Sequence, residues 1–153
     1  MTMQQTPLLL SRILGRGAIL DPDVEVVTAQ LNGTHRQTLG QTWTRANQVA
    51  HALNKHGIEV GDRVASFMWN NHRHLELYQG VPSMGAVLHT LNVRLSPTDL
   101  EYIINHAKDR VIFADEDLLP LLEHVRLERI AFYVRNLQLN TRSSFRCHIV
   151  DSI

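Results

Sequence analysis

The chain has a single cysteine, Cys147, among its 153 residues. No internal disulfide can form, so a disulfide-stapled secreted scaffold is excluded and a reducing compartment is expected. No stretch approaches 18 consecutive apolar residues, which excludes a membrane-spanning helix from the sequence pattern. Leu8-Leu9-Leu10 is stopped at once by Ser11 and Arg12, with no basic segment before it, so it does not read as a secretion signal. A cytoplasmic protein is the expectation. Net charge is also missing, with 15 Lys and Arg against 15 Asp and Glu. No whole-molecule field therefore draws the chain to nucleic acid or to an acidic surface. Lysine is scarce, being limited to Lys55 and Lys108, and neither lies in a glycine-rich loop. Gly15-Arg16-Gly17 lacks a preceding strand and a third glycine, so it is not a dinucleotide-binding fingerprint.

What is present is the composition of an ordinary folded domain, 44% hydrophobic and 20% charged. The length suffices for one domain with a real core. The zero net charge conceals an asymmetry. Residues 1–125 hold 10 basic and 13 acidic side chains, a balance of −3, whereas residues 126–153 hold 5 Arg against Glu128 and Asp151, a balance of +3. The basic end admits contact with RNA, DNA or anionic lipid. No aromatic-basic interleaving accompanies it, so a poorly folded or non-native end is the favoured reading and no nucleic-acid partner is expected.

Residues 7–19 read as a short helix opened by Pro7. Val24 to Val27 and Arg36 to Leu39 flank Asn32-Gly33, a dipeptide suited to the positive φ angles of a tight turn, which predicts a β-hairpin. Residues 42–56 predict an amphipathic helix capped by Thr42, with Trp43, Ala46, Val49, Ala50 and Leu53 on one face and Gly57 ending it. Val64 to Trp69 is an apolar strand. A helix over 72–84 is expected to bury Leu75, Tyr78, Val81 and Met84, with Pro82 kinking or shortening it. Val87 to Leu91 is a short strand. Ser96-Pro97-Thr98-Asp99 opens a helix carrying Leu100, Ile103, Ile104 and Ala107. Arg110 to Ala114 is a strand, and Asp115-Glu116-Asp117 opens a helix bearing Leu118, Leu119, Leu121 and Leu122. Alternation of helices with near-continuously apolar strands predicts an α/β fold: a partial, mostly parallel sheet with covering helices, plus a small N-terminal hairpin.

Several polar constellations invite chemistry. His72-x-His74-x-Glu76 would share a face for a metal if extended. On a helix His72 and Glu76 stand one turn apart while His74 points elsewhere, so polar contacts at a helix start are favoured. Asp115-Glu116-Asp117 resembles a cation site, yet three acids at a helix start also complement its dipole, which is the preferred reading. Asp62 reads as a turn residue, the Leu118–Leu122 cluster as core, and Gly80 and Gly85 as permitting close helix–strand packing. Cys147, with no His or Asn pattern around it, reads as a structural thiol. No catalytic, cofactor-binding or metal residue is assigned.

Four ordered blocks carry a family resemblance. They are Trp43 to Leu53, Gly57-Ile58-Glu59-Val60-Gly61-Asp62-Arg63-Val64-Ala65, Asn70 to Leu95 with its Gly85-Ala86-Val87-Leu88-His89-Thr90-Leu91-Asn92, and Tyr102-Ile103-Ile104-Asn105-His106-Ala107 with Val111-Ile112-Phe113 and Asp115. Together they resemble the N-terminal region of AMP-forming acyl-CoA synthetases, the acyl-adenylating superfamily that includes firefly luciferase, and specifically its medium- to long-chain fatty-acyl branch. Residues 1–126 are then expected to be the N-terminal portion of an AMP-binding domain. Residues 127–153 are expected to be an unmatched basic tail with one strand over 129–134.

The resemblance implies a ligase of fatty-acid metabolism that uses ATP, Mg2+ and coenzyme A to form an acyl-adenylate and then an acyl-CoA. It also implies parts that this sequence does not contain: a Ser/Thr/Gly-rich loop ending Pro-Lys-Gly, a Tyr-Gly-x-Thr-Glu segment, a ribose-binding Asp and a catalytic lysine in a mobile C-terminal domain. No cofactor is therefore expected in this chain, and activity alone is not expected. Self-association, or association with an intact synthetase through the family's dimer face, is the expected partnership. An interaction module without catalysis is the alternative.

Overall fold

The computed structural model describes residues 9–31, 33–128, 130 and 132–135. Expectations that rest on Pro7, Asn32, Cys147 or the end of the basic tail lie outside the described residues.

Helix α1 (Leu10–Leu20) leads into strands β1 (Glu25–Gln30) and β2 (Gly33–Thr38). These pair antiparallel from Glu25↔Thr38 to Gln30↔Gly33. β1 thus ends at Gln30, and Gly33, at φ +135°, opens β2 instead of completing the turn. That φ lies in a region that L side chains rarely adopt.

Helix α2 (Leu39–Lys55) starts three residues before the expected point. Its cap is Thr38, not Thr42. The Thr38 hydroxyl accepts from Gln41 N–H and the Gln41 side chain accepts from Thr38 N–H, a reciprocal box that satisfies two orphan donors. Thr42 instead sits fully buried inside the first turn.

The larger sheet contains β3 (Arg63–Phe67), β4 (Val87–Thr90), β5 (Val111–Ala114) and β6 (Phe132–Arg135). The spatial order is β4-β3-β5-β6 and every pairing is parallel. β6 overlaps the strand expected over 129–134 at residues 132–134. Helix α3 (His72–Ser83) links β3 to β4, and α4 (Pro97–Ala107) links β4 to β5. A short 3-10 turn at Glu116–Leu118 and helix α5 (Leu119–Leu122) follow β5.

Side chains alternate across the strands, so each sheet face has its own core. Val64, Val111 and Phe113 pack with Val49, Leu53, Leu77 and Val81 of α2 and α3. Ala65, Phe67 and Ile112 pack with Leu100 and Ile104 of α4 and with Leu118 and Leu122. All four β5 residues are buried, as expected for a strand covered on both faces. The chain steps from β3 to β4 in one direction and from β4 past β3 to β5 in the other. The connecting helices take opposite faces, which is what a single hand of crossover requires.

The expected buried face of α3 needs correction. Tyr78 is 45% exposed and Leu75 is half-buried, while Leu77, Gly80 and Val81 face inward together with His72, His74, Glu76 and Gln79. The helix is rotated because it must fit α2 on one side and the hairpin on another, and polar partners there reward polar side chains. Gly80 is the contact that fixes the α2–α3 crossing. A Cβ there would stand 2.5 Å from the Ala46 carbonyl oxygen. It therefore serves a helix–helix approach instead of the expected helix–strand one. Gly85 is needed for its backbone, with φ +85° in the turn before β4.

Candidate functional site

In an open parallel sheet the natural ligand crevice lies beyond the carboxyl ends of strands, where successive crossovers leave in opposite directions. Here that place is between β3 and β5. The segments that leave the two strands are Met68 to Asn71 and Asp115 to Asp117. Asp115, buried, accepts from Trp69 N–H at 2.9 Å and from the Asn71 amide at 3.1 Å. Asp117 accepts from the Trp69 indole N–H at 2.8 Å. Asn71 in turn caps α3, its side-chain oxygen accepting from His74 N–H. Hydrogen bonds thus tie the two segments together across the crevice.

Burial raises the Asp115 carboxyl above its ordinary value, opposed by the Trp69 N–H, Arg73 and Asn71. The acidic triplet therefore does not simply complement a helix dipole, as expected from the sequence. Asp115 ties two loops together, and the helix after it has only four residues.

The His72, His74 and Glu76 side chains go to three different places. His72 stacks on His35 of β2, ring centroids 3.7 Å apart, and its backbone N–H donates to the Thr28 hydroxyl at 3.0 Å. Its pKa is lowered to about 4, first by burial and then by the positive charges of His35, Arg73 and Arg45. His74 pairs with the Ser66 hydroxyl at 2.9 Å, and burial lowers its pKa. Glu76, fully buried, holds the Arg45 guanidinium through both carboxylate oxygens and accepts from the Gln37 amide, which also donates to Thr42. Among the described residues no group of three or more His, Cys, Asp or Glu is arranged to hold a metal ion.

Two hollows flank these polar contacts. One, about 270 Å³, lies between β1 and the start of α3 against Val26, Leu75 and Tyr78. The other is an open groove of about 1010 Å³ between the hairpin and the α2–α3 pair, with Arg36, Arg45 and Arg73 on its walls. Arg45 is held by Glu76 and Arg36 by Glu25, so two of the groove's three arginines already have carboxylate partners. Neither lysine lines either of these two hollows. Lys55 ends α2, and Lys108 caps α4 in the left-handed conformation at φ +57°. Gly15 and Gly17 lie within α1, Gly15 against the Trp43 ring. Asp62 is the turn residue expected, accepting from Glu59 N–H, and it also pairs with Arg110 at 3.0 Å.

Gln37, Arg45, Ser66, Trp69 and Asn71 carried no mark as polar-site residues in the sequence. Asn71 alone left a usable signal, as a capping residue type directly before a helical segment.

The sequence profile of the family described as "AMP-binding enzyme" matches residues 18–144, well over half of the chain. The chain belongs to the AMP-binding enzyme family. Among curated relatives, it is 47% identical over 128 residues to a long-chain-fatty-acid–CoA ligase of Thermus thermophilus, covering 83% of this chain and 24% of that protein. It is 41% identical over 125 residues to a 3-methylmercaptopropionyl-CoA ligase of Ruegeria lacuscaerulensis, covering 81% and 23%. The fold superposes on a fatty acyl CoA synthetase of Mycobacterium tuberculosis with a TM-score of 0.75, at 23% identity over 83% of this chain and 26% of that one. This AMP-binding family chain spans about a quarter of the length of the relatives it matches. No helix among its described residues is long and apolar enough to cross a membrane.

Proposed function

We propose that this chain is a non-catalytic segment of a medium- to long-chain fatty-acyl-CoA synthetase, forming one wall of the larger N-terminal domain. The fatty-acyl reading is supported by the likeness to the Thermus ligase. The non-catalytic reading rests chiefly on one observation: Asp115, Asp117, Trp69 and Asn71 bond to one another across the switch-point crevice. Adenylation needs a phosphate cradle, charge neutralisation on the leaving pyrophosphate and a metal ion. The described residues do not fit Mg2+ and ATP, because the Asp115 and Asp117 carboxylates are engaged and neither lysine lines either of the two hollows. ATP, Mg2+ and coenzyme A therefore belong to the intact family enzyme in this proposal.

Residues 1–126 are proposed as the N-terminal portion of that domain, with the sign of charge changing beyond them. Partnership with a second copy or with an intact synthetase belongs to the same proposal. It is supported by β4, which has no second strand beside it among the described residues, and by Leu10, Ile13, Ile19 and Leu20 of α1, which are exposed.

ATP–pyrophosphate exchange with octanoate and palmitate tests the central reading. The 153-residue chain should give no exchange above a heat-denatured control, and substrate-dependent exchange would overturn the proposal. A chain that sediments as a monomer and fails to co-purify with a full-length synthetase would remove the partnership.

A further inference from the structure

Away from the carboxyl edge, His89 on β4 and Asp109 in the α4–β5 turn form an ion pair, Nδ1 to Oδ2 at 2.8 Å. Asp109 is fully buried at its side chain, whereas the His89 side chain is 28% exposed. The second Asp109 oxygen, Oδ1, is buried without a hydrogen-bond partner. A buried carboxylate in that condition depends heavily on its one cationic neighbour. β4 is the strand that depends on the pair in turn. It has four residues and pairs only with β3 among the described strands, so few backbone bonds hold it.

We propose that the His89–Asp109 pair is a proton-operated brace on edge strand β4, closed while the imidazole is charged and loosened when it loses its proton. The pair joins β4 directly to the turn that begins β5, across the intervening β3. The neutral ring can still donate to Asp109, but it no longer balances the buried charge. A buried carboxylate left facing a neutral partner keeps most of its desolvation cost, so the pair is weaker once the proton is lost.

The other charged or titratable groups nearby are committed elsewhere. Arg63, two residues before the Ala65 that faces His89 in register, bonds to the Ala107 and Lys108 carbonyls. Arg110 pairs with Asp62, and His106 stacks on Tyr102. Lys108 is the exposed cap of α4. Asp109 is accordingly the group that raises the His89 pKa, more than burial lowers it. Folding strengthens proton binding at His89. The brace's contribution is therefore complete below the ordinary imidazole value of 6.5 and fades as the pH rises through the raised one.

The test is residue-resolved amide exchange on the full 153-residue chain, read as protection factors so that intrinsic base catalysis cancels. Protection of the β4 amides should fall with rising pH relative to those of β5. The factor lost should equal the factor by which folding raises His89's proton affinity, itself read from an imidazole NMR titration. His89→Gln should hold β4 at its high-pH protection throughout, and Asp109→Asn should return the imidazole to its ordinary titration. Should Asp109→Asn fail to fold, His89→Gln and the wild-type titration decide alone. A pH-dependent fall that persists in His89→Gln, or one shared equally by β5, would overturn the brace.

Discussion

Gly80→Ala is the sharpest test of how α2 and α3 meet. The new methyl carbon would lie 2.5 Å from the Ala46 carbonyl oxygen, 3.2 Å from the Val49 Cβ and 3.3 Å from the Ala46 carbonyl carbon. Ordinary contact begins near 3.5 Å, so the overlap with the oxygen is about 1 Å. Two of the three neighbouring atoms are helix backbone, which cannot turn aside as a side-chain tip would. The helices must separate, and both carry buried core residues that would lose contact. Overpacking of this kind costs about 1–3 kcal/mol, and the immobile neighbours put Gly80→Ala at the upper end of that range. Alanine's better helix propensity returns about 1 kcal/mol. The expected net loss is thus about 2 kcal/mol, a fall in Tm of about 4–8 °C for a chain of this length. Gly17→Ala supplies the contrast. Its Cβ would meet only the Leu39 Cδ1 at 3.8 Å, an ordinary distance, so stability should hold or rise by up to about 1 kcal/mol. Urea melts of the two variants, fitted with a common m-value, give both numbers. A Gly80→Ala protein as stable as the wild type would refute the close crossing.

Glu76→Ala should cost about 3 kcal/mol in the same melts, the low end for breaking a buried ion pair, because Arg45 is 30% exposed and can recover some water. His72 sets an acid limit. Its pKa falls on folding to about 4, so the unfolded chain binds the extra proton between 6.5 and about 4. Stability from this group is complete above 6.5 and declines by on the order of 3 kcal/mol as the pH drops to about 4. His72→Gln should flatten that part of the stability–pH curve, and an unchanged slope would assign it to other groups.

The strands and the α4 cap were legible because their signals are local. Val111-Ile112-Phe113 is a buried run, and Ser96-Pro97-Thr98-Asp99 is a cap in four letters. The Thr38–Gln41 box was equally local, since Thr and Gln three apart are its signature, yet it was hidden by a hairpin expected to reach Leu39. The polar interior was not legible. Arg45 and Glu76 lie 31 residues apart and His89 and Asp109 lie 20 apart, and only the packing of finished helices and strands makes them neighbours. The inward face of α3 failed for the same reason. Periodicity selects the most apolar stripe, whereas a helix wedged between another helix and a hairpin buries whatever finds partners.

The two tryptophans have a consequence for how the protein can be watched. Trp43 lies against Gly15 in the seam between α1 and α2, while Trp69 is half in solvent with its indole N–H on Asp117. One ring is an optical probe of the N-terminal helix leaving its seat, and the other of the stitched crevice coming undone. Replacing either with phenylalanine leaves a single-colour reporter, so the α1–α2 seam and the crevice can be followed separately by fluorescence with no label added.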